Sequence, residues 1–283
     1  MSNIVLVAET GSDIPSELAE RYGIYLVPMH VSFGDLSLDD GSFPVERICE
    51  YYDETGTLPK TSGCSPDDFT RIFDEIHSLW PEKHILHLAY SAATTVSYQN
   101  ALLAAEGRDY VTSIDTKQVS IGQAAIVLEV AKTLEDNPDI TLVEVVLIVR
   151  RLCARVHMCF LPDNLEYLRA GGRVSNVALL GSRLLSLHPC IEIKDGLLLA
   201  TKKYRGNLKK LSARLIRDYT QLFNFYKERI YLIWSIGLDE EIKAIAEREA
   251  RSCGFKEIVW FRTGCVITTH GGPGTFGLVG LSE

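Results

Sequence analysis

The chain opens on an uninterrupted apolar run, N-I-V-L-V-A at residues 3–8, rich in β-branched side chains. A run of this length without polar alternation fits a strand covered on both faces. It leads into E-T-G-S-D-I-P-S-E-L-A-E-R-Y-G, where Ser12 or Asp13 suits a helix cap, Pro15 the first turn and Gly23 the stop. A second strand is expected over 24–31. The rhythm continues with helix 65–79, strand 84–90, helix 94–106, strand 110–115 and helix 120–134. Strands alternating with helices imply a largely parallel sheet with helices on its faces. Ligands of such sheets sit in loops beyond the strand ends, here 9–12, 91–97 and 115–120.

Beyond about residue 140 the texture changes. Helix 142–156 precedes M-C-F-L-P-D-N-L-E-Y-L-R-A-G-G-R, read as another helix ending at Gly171-Gly172, and a helical stretch to Leu187. Apolar residues then flank Asp195-Gly196, the dipeptide of a type I′ hairpin. Helix 207–225, strand 229–236, helix 240–252, strand 257–262 and strand 266–269 complete the pattern. The expectation is an α/β protein of two domains. Residues 1–155 form a three-layer α/β/α domain with a parallel sheet, and residues 156–283 an α/β domain with a mixed sheet. Packing of the 60–82 segment with the second domain is an alternative. A length of 283 residues agrees, since single cores rarely grow much beyond ~250 residues.

Composition narrows the function. A net charge of −8 leaves no basic stripe for nucleic acid; the best basic run, K-K-Y-R-G-N-L-K-K at 202–210, reads as a solvated face. The N-terminal run lacks the basic flank of a signal peptide, and no stretch approaches the ~18–20 apolar residues of a membrane span. Seven cysteines, none in C-x-x-C, suit buried reduced thiols and a cytoplasmic location.

Among motifs, G-P-G-T-F-G at 272–277 spells the dinucleotide pattern G-x-G-x-x-G. That site needs a following helix and an acidic residue about 20 positions on, and here only six residues follow Gly277. A hydrolase triad would take His270 as base, Ser62, Ser91 or Ser97 as nucleophile and Asp115 as acid, but no G-x-S-x-G elbow is present. Metal binding is weaker: His84 and His87, three apart on a strand, face opposite sides, and His30 and His77 are isolated. What remains is hydroxyls, glycines and one histidine in loops. Thr61-Ser62 precede one helix, and Thr94, Thr95 and Ser97 open the next. Helix N-termini bind anions well, though the same residues also serve as ordinary caps.

Several segments occur in a specific order: T-S-G-C-S-P (61–66), A-A-T-T-V-S-Y-Q-N-A (92–101), S-I-D-T-K (113–117), N-L-E-Y-L-R-A-G-G-R-V (164–174), Y-R-G (204–206) and T-H-G-G-P-G-T-F-G (269–277). Together they resemble the DegV family, the fatty-acid-binding proteins of bacteria. The resemblance implies one long-chain fatty acid held between two α/β domains, no cofactor, no metal and no catalytic residue. It places Thr61 and Thr95 on the carboxylate, His270 beside it and Arg205 near the mouth. The expected ligand-binding set is Thr61, Ser62, Thr95, Ser97, His270, Gly271 and Arg205. Some family members are carrier subunits of a fatty acid kinase, so the implied partners are the acid and a separate kinase subunit. An esterase using His270 and an adaptor docking through Arg205 stay open as alternatives.

The chain departs from the family pattern. Glu9 stands for the aspartate of T-D-S, Gly63-Cys64 for Gln-Pro, Thr95-Val96-Ser97 for Ser-Gly-Thr, and His188 for the lysine before Pro189. Thr95 keeps the hydroxyl. Val96 is expected to resist positive φ and to add bulk beside the head group.

Overall fold

The computed structural model describes residues 2–163, 165–174 and 187–283. Strand β1 (Ile4–Glu9), buried along its whole length, runs through a 3-10 turn (Thr10–Ser12) into α1 (Ser16–Tyr22) and back as β2 (Tyr25–Val27). An antiparallel insert follows: β3 (His30–Phe33), β4 (Leu36–Asp39) and, beyond α2 (Glu46–Thr55), β5 (Lys60–Ser62). The elements α3 (Pro66–Leu79), β6 (His84–Ala89), α4 (Ser97–Ala104), β7 (Val111–Asp115) and α5 (Ser120–Asp136) then complete a parallel sheet of order β2-β1-β6-β7. Helix α3 starts where its chemistry says: Ser65 and Asp68 form a reciprocal capping box, and Phe69, Ile72, Phe73 and Ile76 are buried.

Helix α6 (Leu142–Arg155), with its own capping box at Thr141 and Glu144, leads to the second sheet. This contains β8 (Val156–Leu161), then α7 (Leu165–Gly171), the hairpin β9 (Leu187–Lys194) and β10 (Leu197–Arg205), and α8 (Leu208–Leu222). Next come β11 (Arg229–Trp234), α9 (Glu240–Ser252), β12 (Glu257–Arg262), α10 (Cys265–Gly271) and β13 (Phe276–Leu281). The order is β10-β9-β8-β13-β11-β12, antiparallel except for β11 with β12. The protein therefore has two α/β domains, one with a parallel and one with a mixed sheet. Asp195 and Gly196 have φ of 49° and 83°, as a type I′ turn requires.

Five expectations need correction. The strand expected over 24–31 is two strands in different sheets: it breaks at Pro28, and the Met29 amide donates instead to Thr10 Oγ1 at 3.0 Å. Neither Ser12 nor Asp13 caps α1; Pro15 occupies that position, and the Asp13 carboxylate is engaged elsewhere. M-C-F-L is strand, with Met158 and Phe160 in one core and Cys159 and Leu161 in the other, and helix resumes only after Pro162. Helix α4 begins at Ser97 rather than 94, because Thr94 bonds back to Ser91 in a turn. Finally, 266–269 is not a strand but the body of α10. The helical stretch expected up to Leu187 falls mostly outside the described residues.

No helix among the described residues is long and apolar enough to cross a membrane. All seven cysteines are free; Cys64, Cys159, Cys190 and Cys265 are buried and the others part-exposed.

Candidate functional site

The two domains share one hydrophobic core. The residues on one face of the mixed sheet, among them Met158, Phe160, Tyr231 and Ile233, pack with the parallel sheet and α5. Within this shared core lies a narrow cavity of ≈ 80 Å³. That is several times the ~10–15 Å³ that admits one water. Met29, Tyr90 and Val119 line it from the N-terminal side, and Met158, Phe160 and Ile233 from the C-terminal side.

A polar cluster interrupts this apolar wall. Thr61, Ser62 and Gly63 come from the end of β5, Thr94 and Thr95 from the loop before α4, and His270 and Gly271 from the last turn of α10. Thr61 Oγ1 and His270 Nε2 are 2.7 Å apart in a hydrogen bond, joining residues 209 positions apart. Burial, with the nearby Arg173 guanidinium second, pushes His270 down to about 4, so the imidazole is neutral at physiological pH. Its Nδ1 has no hydrogen-bond partner among the described residues. It lies against Gly171, where a Cβ would come within 2.4 Å of Nδ1. The first glycine of the pair in L-E-Y-L-R-A-G-G-R is thus a packing requirement of the histidine.

Of the expected residues, Thr61, Ser62, Thr95, His270 and Gly271 come together on the cavity wall. Ser97 does not line it: fully buried, its Oγ accepts the Cys64 amide at 3.1 Å and lies 3.1 Å from Thr95 Oγ1, tying the two loops together. Arg205 is not on the wall either. It is the last residue of β10, exposed and beyond the residues that line the cavity. His270 sits at a helix C-terminus, not at a strand end.

The structure gives each departure from the family pattern a definite setting. At Gly63 a Cβ would fall 2.3 Å from Thr95 Oγ1 and 2.5 Å from Ser97 Oγ. The hydroxyls at 95 and 97 thus occupy the space that a side chain at 63 would need. Val96 has φ −81° and is 62% exposed, so it neither needs positive φ nor crowds the cavity. Glu9 is buried and accepts from the Tyr90 amide at 2.9 Å and Gln123 Nε2 at 2.6 Å, anchoring the strand end beside the cavity.

Arg173 was missed by sequence reasoning. It borders the cavity, and its Nη1 donates to Gly171 O at 3.0 Å. The signal was present as the arginine closing the G-G-R motif.

Among the described residues no hydrolase triad is assembled around His270. Its partner is a threonine, and Asp115 accepts from the amides of Lys117 and Ala92 instead. Among the described residues no cluster of three or more His, Cys, Asp or Glu side chains is arranged to hold a metal. His30 pairs with Asp39 and Asp68, His84 with Thr112 and His87 with Ser113, while His77 stacks on Tyr110.

The profile of the DegV family, described as uncharacterised proteins of that family, matches residues 3–283. The chain belongs to the DegV family. A DegV family protein of Thermus thermophilus, solved for its fatty acid binding, is 30% identical with a TM-score of 0.88, covering 99% of each chain. A DegV lipid-binding protein of Thermotoga maritima is 26% identical with a TM-score of 0.84, over 100% of this chain and 99% of the other. A fatty acid-binding protein of Thermotoga maritima is 26% identical over 288 residues, 97% of this chain and 96% of its own length.

Proposed function

We propose that this DegV protein is a carrier, not an enzyme, that holds one long-chain fatty acid in a tunnel between its domains, divided at residues 155 and 156. The observation that carries this reading is the Thr61–His270 hydrogen bond set into a predominantly apolar cavity. Thr61, Ser62, Thr95, His270 and the backbone at Gly271 surround the carboxylate in this reading, with Arg173 as the adjacent cation. A buried carboxylate is costly unless hydrogen-bonded or charge-paired. A neutral imidazole has a single N–H, so the bonded Thr61–His270 pair directs one donor to it, and the Thr95 hydroxyl adds another. Burying the tail contributes ~0.8 kcal/mol per CH₂, so about fourteen methylenes give on the order of 11 kcal/mol gross. Ordering and association costs reduce this to tight, reversible binding.

The same reading has the acid presented to a separate kinase subunit, which converts it to an acyl phosphate. Exposed Arg205 is then available to that partner rather than to the acid. The test is to denature the purified protein and identify released lipid by mass spectrometry. One equivalent of a long-chain acid is expected. If none co-purifies and none binds the delipidated protein in vitro, the proposal fails.

A further inference from the structure

The helix that carries His270 is held at its opposite end by two carboxylates from the N-terminal half. Asp13 Oδ1 accepts the Gly264 amide at 2.6 Å, and Asp40 Oδ1 accepts the amides of Cys265 at 2.9 Å and Val266 at 3.2 Å. These N–H groups open α10 and have no acceptor within the helix. Asp13 follows the 3-10 turn after β1, and Asp40 follows β4, so the two arrive from different sheets. Both are buried. A Cβ on Gly264 would lie 3.2 Å from Asp13 Oδ1 and 3.3 Å from Asp40 Oδ1, so both carboxylates converge on one point of the backbone. The second Asp13 oxygen accepts the hydroxyl of Ser120, which opens α5 and borders the cavity.

This helix has little reason of its own to form. It spans seven residues, and four in succession, Val266, Ile267, Thr268 and Thr269, are β-branched. Helices this short are unstable alone, and β-branched residues favour extended backbone. The strand expected there from sequence is the conformation the segment prefers locally. The external carboxylates reverse that preference.

We infer that Asp13 and Asp40 are positioning residues for the head-group site: by fixing the start of α10 they place His270 against Thr61. This rests on the reading that His270 meets the acid's carboxylate, and it adds what decides where His270 stands. Asp40 holds both amides with a single oxygen, its Oδ2 having no partner among the described residues. Asp40→Asn therefore keeps both hydrogen bonds, and Asp40→Ala loses them.

The test compares binding of palmitate and of methyl palmitate to the delipidated wild type, Asp40→Ala and Asp40→Asn, alongside the imidazole NMR signals of His270. Asp40→Ala is expected to lower palmitate affinity about 10-fold or more, with methyl palmitate affinity within 2-fold and the His270 signals shifted. Asp40→Asn is expected to match the wild type in all three. If palmitate and its ester weaken together, or if Asp40→Ala leaves the His270 signals in place, the inference is overturned. Should the wild type bind neither lipid, the proposed function fails, and the NMR comparison still decides the positioning role without ligand. If Asp40→Ala does not fold, Asp40→Glu takes its place; its longer arm displaces the start of α10, and the same shift is expected. An unshifted His270 signal in Asp40→Glu is then the refuting result.

Discussion

The two faces of the mixed sheet are built from the same strands and serve opposite ends. On β11, Ile230 and Leu232 pack under α8 and α9 with Leu215, Ile216 and Ala246, while Tyr231 and Ile233 face the parallel sheet. On β8, Cys159 and Leu161 fall on the first side and Met158 and Phe160 on the second. The first face is closed by helices that run on from its own strands. The second meets elements from elsewhere in the chain and leaves the cavity open among them. Pairing two independently formed surfaces yields an interior that need not be filled, whereas a helix folding back on its own sheet yields one that is.

Substitutions at neighbouring positions should separate these roles. Leu232→Ala, on the closed face, is expected to cost ~2–5 kcal/mol of stability, read by chemical denaturation, without changing which acid co-purifies. Equal acyl loss and destabilisation would erase the distinction between the faces. On the open face, His270 makes stability depend on pH. The unfolded chain takes up this proton near pH 6.5 and the folded protein only near about 4. Its contribution is full above pH 6.5 and falls as pH drops toward 4, by on the order of 3 kcal/mol. Burial raises Asp13 and Asp40, so their contribution runs the other way, largest at low pH and declining as pH rises above about 4. The difference between wild type and His270→Asn across pH 4–6.5 isolates the histidine, and a flat difference contradicts its buried neutral state.

Ile233→Phe should do the reverse of Leu232→Ala. The added volume enters the cavity, so the cost stays below the ~1–3 kcal/mol typical of overpacking. Displacing three or four methylenes of the ligand costs about 3 kcal/mol, roughly 100-fold in affinity for long acids and far less for short ones. Thr61→Ala removes a hydrogen bond to a charged group, about 1.5–3 kcal/mol, so palmitate affinity should fall by ~10-fold or more in calorimetry. Arg205→Glu, away from the cavity wall, should leave acid affinity within 2-fold while lowering transfer to a kinase subunit.

How much of this was legible in the sequence depended on whether local and tertiary forces agreed. Where they did, as in Ser65–Asp68 capping α3 or Asp195-Gly196 turning the hairpin, residue order alone predicted the element. The V-I-T-T of α10 reads as strand because its β-branched run favours one, and the carboxylates that overrule it lie more than 220 positions away in sequence. The cavity residues followed from resemblance, not periodicity: nothing in the spacing of Thr61 and His270 predicts a hydrogen bond between them. The resemblance implied position 205 near the mouth; in the structure it is exposed at the end of β10 and does not line the cavity. The crowding of Gly63 by the Thr95 and Ser97 hydroxyls is tertiary, and nothing in the local sequence predicts it.

Strand β13 comes last of the strands along the chain yet lies between β8 and β11 in the middle of the mixed sheet. A nascent chain emerging from the ribosome can complete its parallel sheet while the second sheet is still two fragments with unpaired inner edges. Only when residues 276–281 emerge do those fragments join and give the cavity its second wall. Any ligand of the cavity can therefore be taken up only after translation has passed this strand. Until then, the exposed edges of β8 and β11 are where a stalled or truncated chain is most open to aggregation and chaperone capture.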